Sequence, residues 1–171
     1  MTLANKITIL RGTLIPVVIY LLFLDKREMA LAVFLLICIS DSIDGMIARR
    51  RNEITTLGKI LDPAVDKLLY VSVLTVLVFV TTDIPLVLLI FYLIPHITLI
   101  IGAVVLYRNR RPAIAARFSG KAAAWVTIIG ISFIFLQWPY GLVLLIIGTG
   151  LSYIATLHYL QVFLRMEKDS Q

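Results

Sequence analysis

Apolar segments long enough to cross a bilayer follow one another along almost the whole chain, and little besides a helical membrane protein can be built from them. A spanning helix needs about 20 mostly apolar residues. Six such segments can be placed: 5–24, 29–50, 57–81, 84–107, and two that share the stretch 119–165. The shared stretch divides at Gln137-Trp138-Pro139-Tyr140-Gly141, where turn formers and interfacial aromatics predict a tight loop at a membrane surface. Hydrophobic residues make up 60% of the 171, against roughly 45–50% in soluble domains. A soluble fold of this length could not hide so much apolar surface. The expected fold class is all-α integral membrane, six transmembrane helices forming a single domain over residues 1–171.

The distribution of charge predicts an orientation. Arg49, Arg50 and Arg51 connect the second and third segments, Arg108, Arg110, Arg111 and Arg117 the fourth and fifth, and Arg165 and Lys168 follow the sixth. The alternate connections are the balanced Asp25-Lys26-Arg27-Glu28, the short Thr82-Asp83 turn and the uncharged 137–141 loop. Positive loops stay inside, so both termini and the arginine-rich loops are expected in the cytosol. The net charge of +6 then reflects topology and anionic headgroups and not a nucleic-acid partner. Lys6 and Arg11 lie among apolar residues with no small-residue cleavage site after them, which reads as a retained first helix and not a removed signal peptide.

Cys38, the only cysteine, lies in an apolar stretch and offers neither a disulfide framework nor a cysteine-type zinc site. Pro16 and Pro95 fall inside apolar segments and read as packing kinks, tolerated where neighbours satisfy the freed carbonyls. Gly148, Gly150 and Ser152 suit close helix contacts, within a subunit or between two. His158 and Tyr159 read as markers of the sixth helix near the membrane interface.

Four aspartates contradict the apolar background: Asp41, Asp44, Asp62 and Asp66. A carboxylate near hydrocarbon costs about 2.5–3.5 kcal/mol on insertion scales, so four in two neighbouring helices need a shared cause, and a divalent cation supplies one. Asp41, Asp44 and Ala48 stand at i, i+3 and i+7 with Gly45 beside them, and Gly58, Asp62 and Asp66 at i, i+4 and i+8. Each set shares a helix face, and a short turn between antiparallel helices lets the two faces converge near the cytosolic interface. Oxygen-only ligands favour Mg²⁺, Mn²⁺ or Ca²⁺ over zinc. Four carboxylates serve two ions, or one ion and a free base. Gly45 and Gly58 leave room for a polar group to approach the backbone, and Arg49 offers a planar fork suited to phosphate. The set suggests a diphosphate site.

The run reads D-x2-D-G-x2-A-R-x8-G-x3-D-x3-D, at Asp41, Asp44, Gly45, Ala48, Arg49, Gly58, Asp62 and Asp66. It resembles the signature of the CDP-alcohol phosphotransferases, integral membrane enzymes of phospholipid synthesis, and six helices extend the resemblance over the chain. The resemblance implies that Asp41, Asp44 and Asp62, with Asp66 contributing or at their edge, hold Mg²⁺ or Mn²⁺. It implies that Asp44, Gly45, Ala48, Arg49, Gly58 and Asp62, with Thr8, seat the CMP half of CDP-diacylglycerol. Asp66 would be the general base that takes the acceptor's proton, and the resemblance also brings the expectation of a homodimer.

Asn5-Lys6-Ile7-Thr8-Ile9-Leu10-Arg11 and Gly120-Lys121 are similar to the branch containing phosphatidylglycerophosphate synthases and cardiolipin synthases of this fold. The expected acceptor is therefore glycerol 3-phosphate, with phosphatidylglycerol, inositol phosphate or serine as alternatives. A phosphate-bearing acceptor calls for cations, and the candidates are Arg11, Lys59, Arg110, Arg111 and Lys121, with His96. That branch usually carries an Arg followed by an acidic residue in helix four, where this chain has Pro95-His96-Ile97. Either His96 takes over part of the arginine's role or the acceptor differs. Outside the enzymes, the rival is a cation- or proton-conducting membrane protein. Against it, the aspartates hug one side and no partner carboxylate lies in the other four helices.

Overall fold

The computed structural model describes the backbone of residues 3–51, 56–108 and 118–168, and the side chains of 12–40, 67–102, 104–106 and 119–164. Among these residues it is all-helical: α1 (Leu3–Phe23), α2 (Arg27–Arg51), α3 (Thr56–Phe79), α4 (Leu86–Arg108), α5 (Phe118–Phe135) and α6 (Gly141–Lys168). All six expected segments are helices. Two are long and apolar enough by themselves to cross a membrane, α4 over Leu86–Leu106 and α6 over Gly141–Leu164. Shorter apolar stretches occupy Gly12–Phe23, Lys67–Phe79 and Ser119–Phe135.

The chain packs as two compact units, residues 1–84 and 85–171. In the first, α1 lies against both α2 and α3. Its core is formed by Val18, Leu22, Phe34, Ile37, Leu69, Val73 and Leu77, all almost fully buried. At one end of this unit Arg27 ties two turns together, donating from Nε to Asp25 at 2.9 Å and from Nη1 to Asp83 at 2.8 Å. The guanidinium is held above its ordinary value, first by the hydrogen bond to Asp25 and then by Asp83, with burial working the other way.

In the second unit α6 packs along α5 and also meets α4. Close approaches of α5 and α6 pair Gly141 with Ile134, Gly130 with Leu145, Gly148 with Thr127 and Gly120 with Ala155. One number falls as the other rises, so these helices are antiparallel. On the other side, Tyr153 meets Phe91, Thr156 meets Pro95, and Tyr159 meets Gly102. Both numbers rise together, so α4 and α6 are parallel. Gly148 thus serves the close contact expected of it, and Ser152 is buried, but a Cβ on Gly150 would meet open space.

Large apolar side chains cover the exterior, among them Tyr20, Leu36, Phe79, Val87, Ile101 and Ile147, each about half exposed or more. In water such a surface would associate; against lipid it is the ordinary exterior. Two helix ends are closed compactly by their own backbone. Asp25 ends α1 at φ 53° and Gln137 ends α5 at φ 56°. Lys26 N–H reaches back to the Leu21 carbonyl and Trp138 N–H to that of Phe133, each at 2.9 Å. Both close helices in the Schellman manner.

Candidate functional site

The four aspartates lie on two helices, Asp41 and Asp44 on α2, Asp62 and Asp66 on α3. Their side chains, and those of Thr8, Arg11, Gly45, Ala48, Arg49, Gly58 and Lys59, lie outside the described residues, as do Arg110 and Arg111. What the structure supplies is the register of the helices that carry them.

Phe34 of α2 and Tyr70 of α3 meet edge to face, ring centroids 6.3 Å apart at 69°. This contact lies about 25 Å before the end of α2 and about 21 Å after the start of α3, at about 1.5 Å of rise per residue. Only an antiparallel pair brings those two ends within reach of the link at 52–55, which spans at most about 18 Å. Measured from the aromatic contact toward that link, Asp66 lies about 6 Å along, Asp41 about 10 Å, Asp62 about 12 Å and Asp44 about 15 Å. All four therefore fall within roughly 9 Å of height on adjacent helices, with Asp66 innermost.

Helix periodicity also fixes the faces. Position 41 is i+7 from Phe34, on the stripe where Phe34, Ile37 and Cys38 are buried. Positions 66 and 62 continue the stripe of Val73, Leu69 and Tyr70, of which the first two are nearly inaccessible. The carboxylate positions thus extend the faces that α2 and α3 bury in the described part of the unit. Among the described residues no group of three or more metal-ligating side chains occurs, so the aspartate run remains the candidate set by sequence and register.

The acceptor candidates with described side chains lie in the second unit. Lys121 is exposed on the first turn of α5. His96 is half buried on α4; its ring stacks on Tyr92 with centroids 4.2 Å apart, and Nδ1 is 2.7 Å from the Tyr92 carbonyl oxygen. A carbonyl only accepts, so Nδ1 donates and carries the proton. The helix itself thereby sets this histidine's tautomer and orientation.

Sequence reasoning did not single out Ser119, and took His158 and Tyr159 only as interface markers. Among the described residues, Ser119 Oγ, His158 Nδ1 and Tyr159 Oη are side-chain atoms sealed from solvent with no hydrogen-bond partner. The sequence signal available for them was slight: polar residues toward the ends of apolar helices.

Fold and register define a helical protein with a lipid-type exterior and a carboxylate-bearing helix pair. The CDP-alcohol phosphatidyltransferase family model matches residues 1–161. The chain belongs to the CDP-alcohol phosphatidyltransferase family. A CDP-diacylglycerol–glycerol-3-phosphate 3-phosphatidyltransferase of Rickettsia typhi is 43% identical over 70 residues, 39% of each chain. The Aquifex aeolicus protein of the same name is 32% identical over 126 residues, 70% of this chain and 69% of that one. A cardiolipin synthase (CMP-forming) of Streptomyces coelicolor is 30% identical over 163 residues, 92% of this chain and 70% of that one. The match to the Rickettsia typhi relative thus spans about two fifths of that protein's length. The crystal structure of a Mycobacterium tuberculosis phosphatidylinositol phosphate synthase in apo form shares the fold, with TM-score 0.67, 18% identity and coverage of 94% of this chain and 88% of that one.

Proposed function

We propose that this protein transfers a phosphatidyl group from CDP-diacylglycerol to the hydroxyl of glycerol 3-phosphate, releasing CMP. The observation that carries the reading is the unbroken motif from Asp41 to Asp66 on two antiparallel helices, with its four carboxylate positions within about 9 Å of height. Relatives named for this reaction support the acceptor. The cardiolipin synthase likeness, which extends over 92% of this chain, favours phosphatidylglycerol as the second reading.

The donor set fits a hard divalent cation, because four carboxylates on two neighbouring apolar helices have a reason to coexist only around positive charge. Asp41, Asp44 and Asp62 would hold Mg²⁺ or Mn²⁺, in one or two ions. Bound there, the metal supplies charge to the diphosphate and to the departing CMP. Gly45, Ala48 and Gly58 leave space for the cytidine diphosphate group, with Arg49 and Thr8 as donors to it. Asp66, innermost of the four, takes the proton from the acceptor hydroxyl. The acceptor oxygen then bonds to the phosphorus nearer the lipid, the bond from that phosphorus to the bridging oxygen breaks, and CMP leaves. Holding the acceptor beside a fixed diphosphate contributes much of the acceleration by orientation alone. Arg11, Lys59, Arg110, Arg111, Lys121 and His96 are the candidates for the acceptor's phosphate and polar groups.

We read all 171 residues as one multi-pass membrane domain of six spans, with the aspartates facing the cytosol and a second copy of the chain as partner. The lipid tails of the substrate then remain in the bilayer while the headgroup reacts at its edge.

The test is CMP release from CDP-diacylglycerol by the purified protein, with glycerol 3-phosphate or phosphatidylglycerol as acceptor. Release that requires divalent metal, stops on chelation and falls at least about a thousandfold in Asp66→Asn is the expected result, since general-base and charge terms together supply that much. A folded protein that releases no CMP with either acceptor would sink the reading and turn attention to ion conduction.

A further inference from the structure

We propose that Lys67 binds the lipid-side phosphate of the CDP-activated lipid, the phosphate that stays with the diacylglycerol when CMP leaves. The inference rests on the function proposed above and adds a residue to its substrate site. Lys67 and the four aspartate positions belong to one unit, residues 1–84. Lys67 follows Asp66 on α3 and opens the apolar stretch Lys67–Phe79. Measured from the Phe34–Tyr70 contact toward the link, its position lies about 4–5 Å along, just inside the layer of the four aspartate positions. The start of α3 is about 16 Å away, beyond the reach of a lysine stem that runs along the helix toward water. A cation held in an apolar helix at that depth is a functional-site candidate, with an anion as its reason. Its neighbours at pairing spacing on the same helix are Pro63, Ala64, Tyr70 and Val71, none of them acidic. The anion it serves is therefore supplied from elsewhere in the unit or by the substrate.

The face that Lys67 occupies is the second observation. Position 67 shares a stripe of α3 with Leu74 and Val78, at i+7 and i+11, which are 1% and 8% exposed. The outward stripe is a different one, where Leu68 and Phe79 are 58% and 64% exposed. Lys67 itself is only half buried. The packing that seals Leu74 and Val78 thus opens at the level of Lys67, on the packed side of the helix and not on the outward one. A cation at such an opening, one residue from the carboxylate layer, is within reach of an anionic headgroup.

Charge and depth select the ligand. A lysine ammonium is a compact point charge that suits a phosphate oxyanion. In the proposed reaction four carboxylates and a diphosphate together outweigh even two divalent ions and Arg49, so a further fixed cation has an anion to meet. The carboxylates face the metal, which leaves the diphosphate. Position 67 lies deeper than all four aspartate positions, on the side from which the lipid tails enter. The phosphate it meets first is the one nearer the lipid. During transfer the acceptor oxygen bonds to that phosphorus, the bond to the bridging oxygen breaks, and its electron pair leaves with CMP. Lys67 holds the unreacting oxygens of the phosphate before and after, and neither gains nor loses a proton.

The experiment is calorimetric titration of the purified full chain, with Mg²⁺, by CDP and by CMP. CDP carries a phosphate in the lipid-side position and CMP does not. Lys67→Met is expected to weaken CDP binding roughly tenfold, the scale of one lost hydrogen bond to a charged group, and to leave CMP binding unchanged. Lys67→Arg keeps the charge and should retain most of the CDP affinity. Lys67→Gln carries the same expectation as Lys67→Met and replaces it if that variant loses Tm. In turnover, CDP-diacylglycerol KM should rise by a similar factor, with the KM of glycerol 3-phosphate or phosphatidylglycerol unmoved. An equal loss toward CDP and CMP would mean a structural role and overturns the proposal. So does a rise confined to the acceptor KM, which would move Lys67 to the acceptor's phosphate, and so does unaltered CDP binding. If the wild type releases no CMP with either acceptor, the proposed function fails by itself. The titrations then decide the phosphate site alone: CDP binding weakened in Lys67→Met supports it, and absent or unaltered binding overturns it.

Discussion

The hydroxyl of Tyr153 on α6 donates to the main-chain carbonyl of Phe91 on α4 at 3.0 Å. That carbonyl stands four residues before Pro95, which has no N–H to offer it. A neighbouring helix therefore supplies the hydrogen bond that the proline removes, as a chain packed in an apolar medium requires. Thr156 adds a longer contact to the Pro95 carbonyl at 3.4 Å. Tyr153→Phe is expected to destabilise the protein by about 1 kcal/mol. In a Pro95→Ala background the helix can satisfy Phe91 by itself, so the same substitution should cost much less. A double-mutant cycle on the unfolding free energy in detergent measures the difference, and equal costs in both backgrounds would refute the link.

Arg27 carries a second prediction, concerning pH. Its guanidinium is held above its ordinary value, mainly by the hydrogen bond to Asp25. A group whose folded value is raised contributes stability that is complete below its unfolded value, which for arginine already lies far on the alkaline side of neutral. That stability is lost only as pH rises through the raised folded value. Between pH 6 and 10 the charge of Arg27 therefore introduces no slope into stability. The difference in Tm between the wild type and Arg27→Met is expected to stay constant over that window, and a difference that grows or vanishes within it would contradict the assignment. Asp83→Asn should cost no more than about 1 kcal/mol, because the pair is partly solvated.

A third prediction follows from the end of α5. Gln137 adopts φ 56°, a region that costs a residue with a Cβ roughly 1–2 kcal/mol. Glycine relieves that cost but gains freedom in the unfolded chain. Gln137→Gly should leave a net gain of about 0.5–1 kcal/mol, while a β-branched residue there should lose stability. Thermal unfolding of Gln137→Gly and Gln137→Val checks both signs.

The six helices were legible because apolar length is a property of sequence alone. Their ends were less so. The third segment reads as helix to residue 81, but α3 stops at Phe79, and Thr82 takes φ 58° without a glycine to announce it. Neighbours were not legible at all for α4 and α6. A helix apolar on every side shows no stripe to tell a packed face from a lipid face, so the parallel pairing of Phe91 with Tyr153 had no signal. The same blindness explains Gly148 and Gly150, identical in sequence terms yet one against Thr127 and the other in open space. The aspartate run was legible because charge in an apolar helix is costly enough to require a cause. The partner of His96 was not, because a residue type does not reveal which atom it bonds.

The α5–α6 seam offers the sharpest structural test. A Cβ on Gly130 would stand 2.9 Å from the Leu145 nitrogen, 3.2 Å from the Leu144 carbonyl carbon and 3.3 Å from the Gly141 oxygen. All three are main-chain atoms, so no rotamer change relieves the clash and the helices must separate. Gly130→Ala is therefore expected to cost about 1–3 kcal/mol, in the range of overpacked cores. Gly150→Ala, on the same pair of helices but with nothing within 4 Å, is expected to be neutral or slightly stabilising through helix propensity. Unfolding free energies of the two variants separate packing from propensity. Equal effects would mean that the approach of α5 to α6 at Gly130 is not as close as the structure gives it.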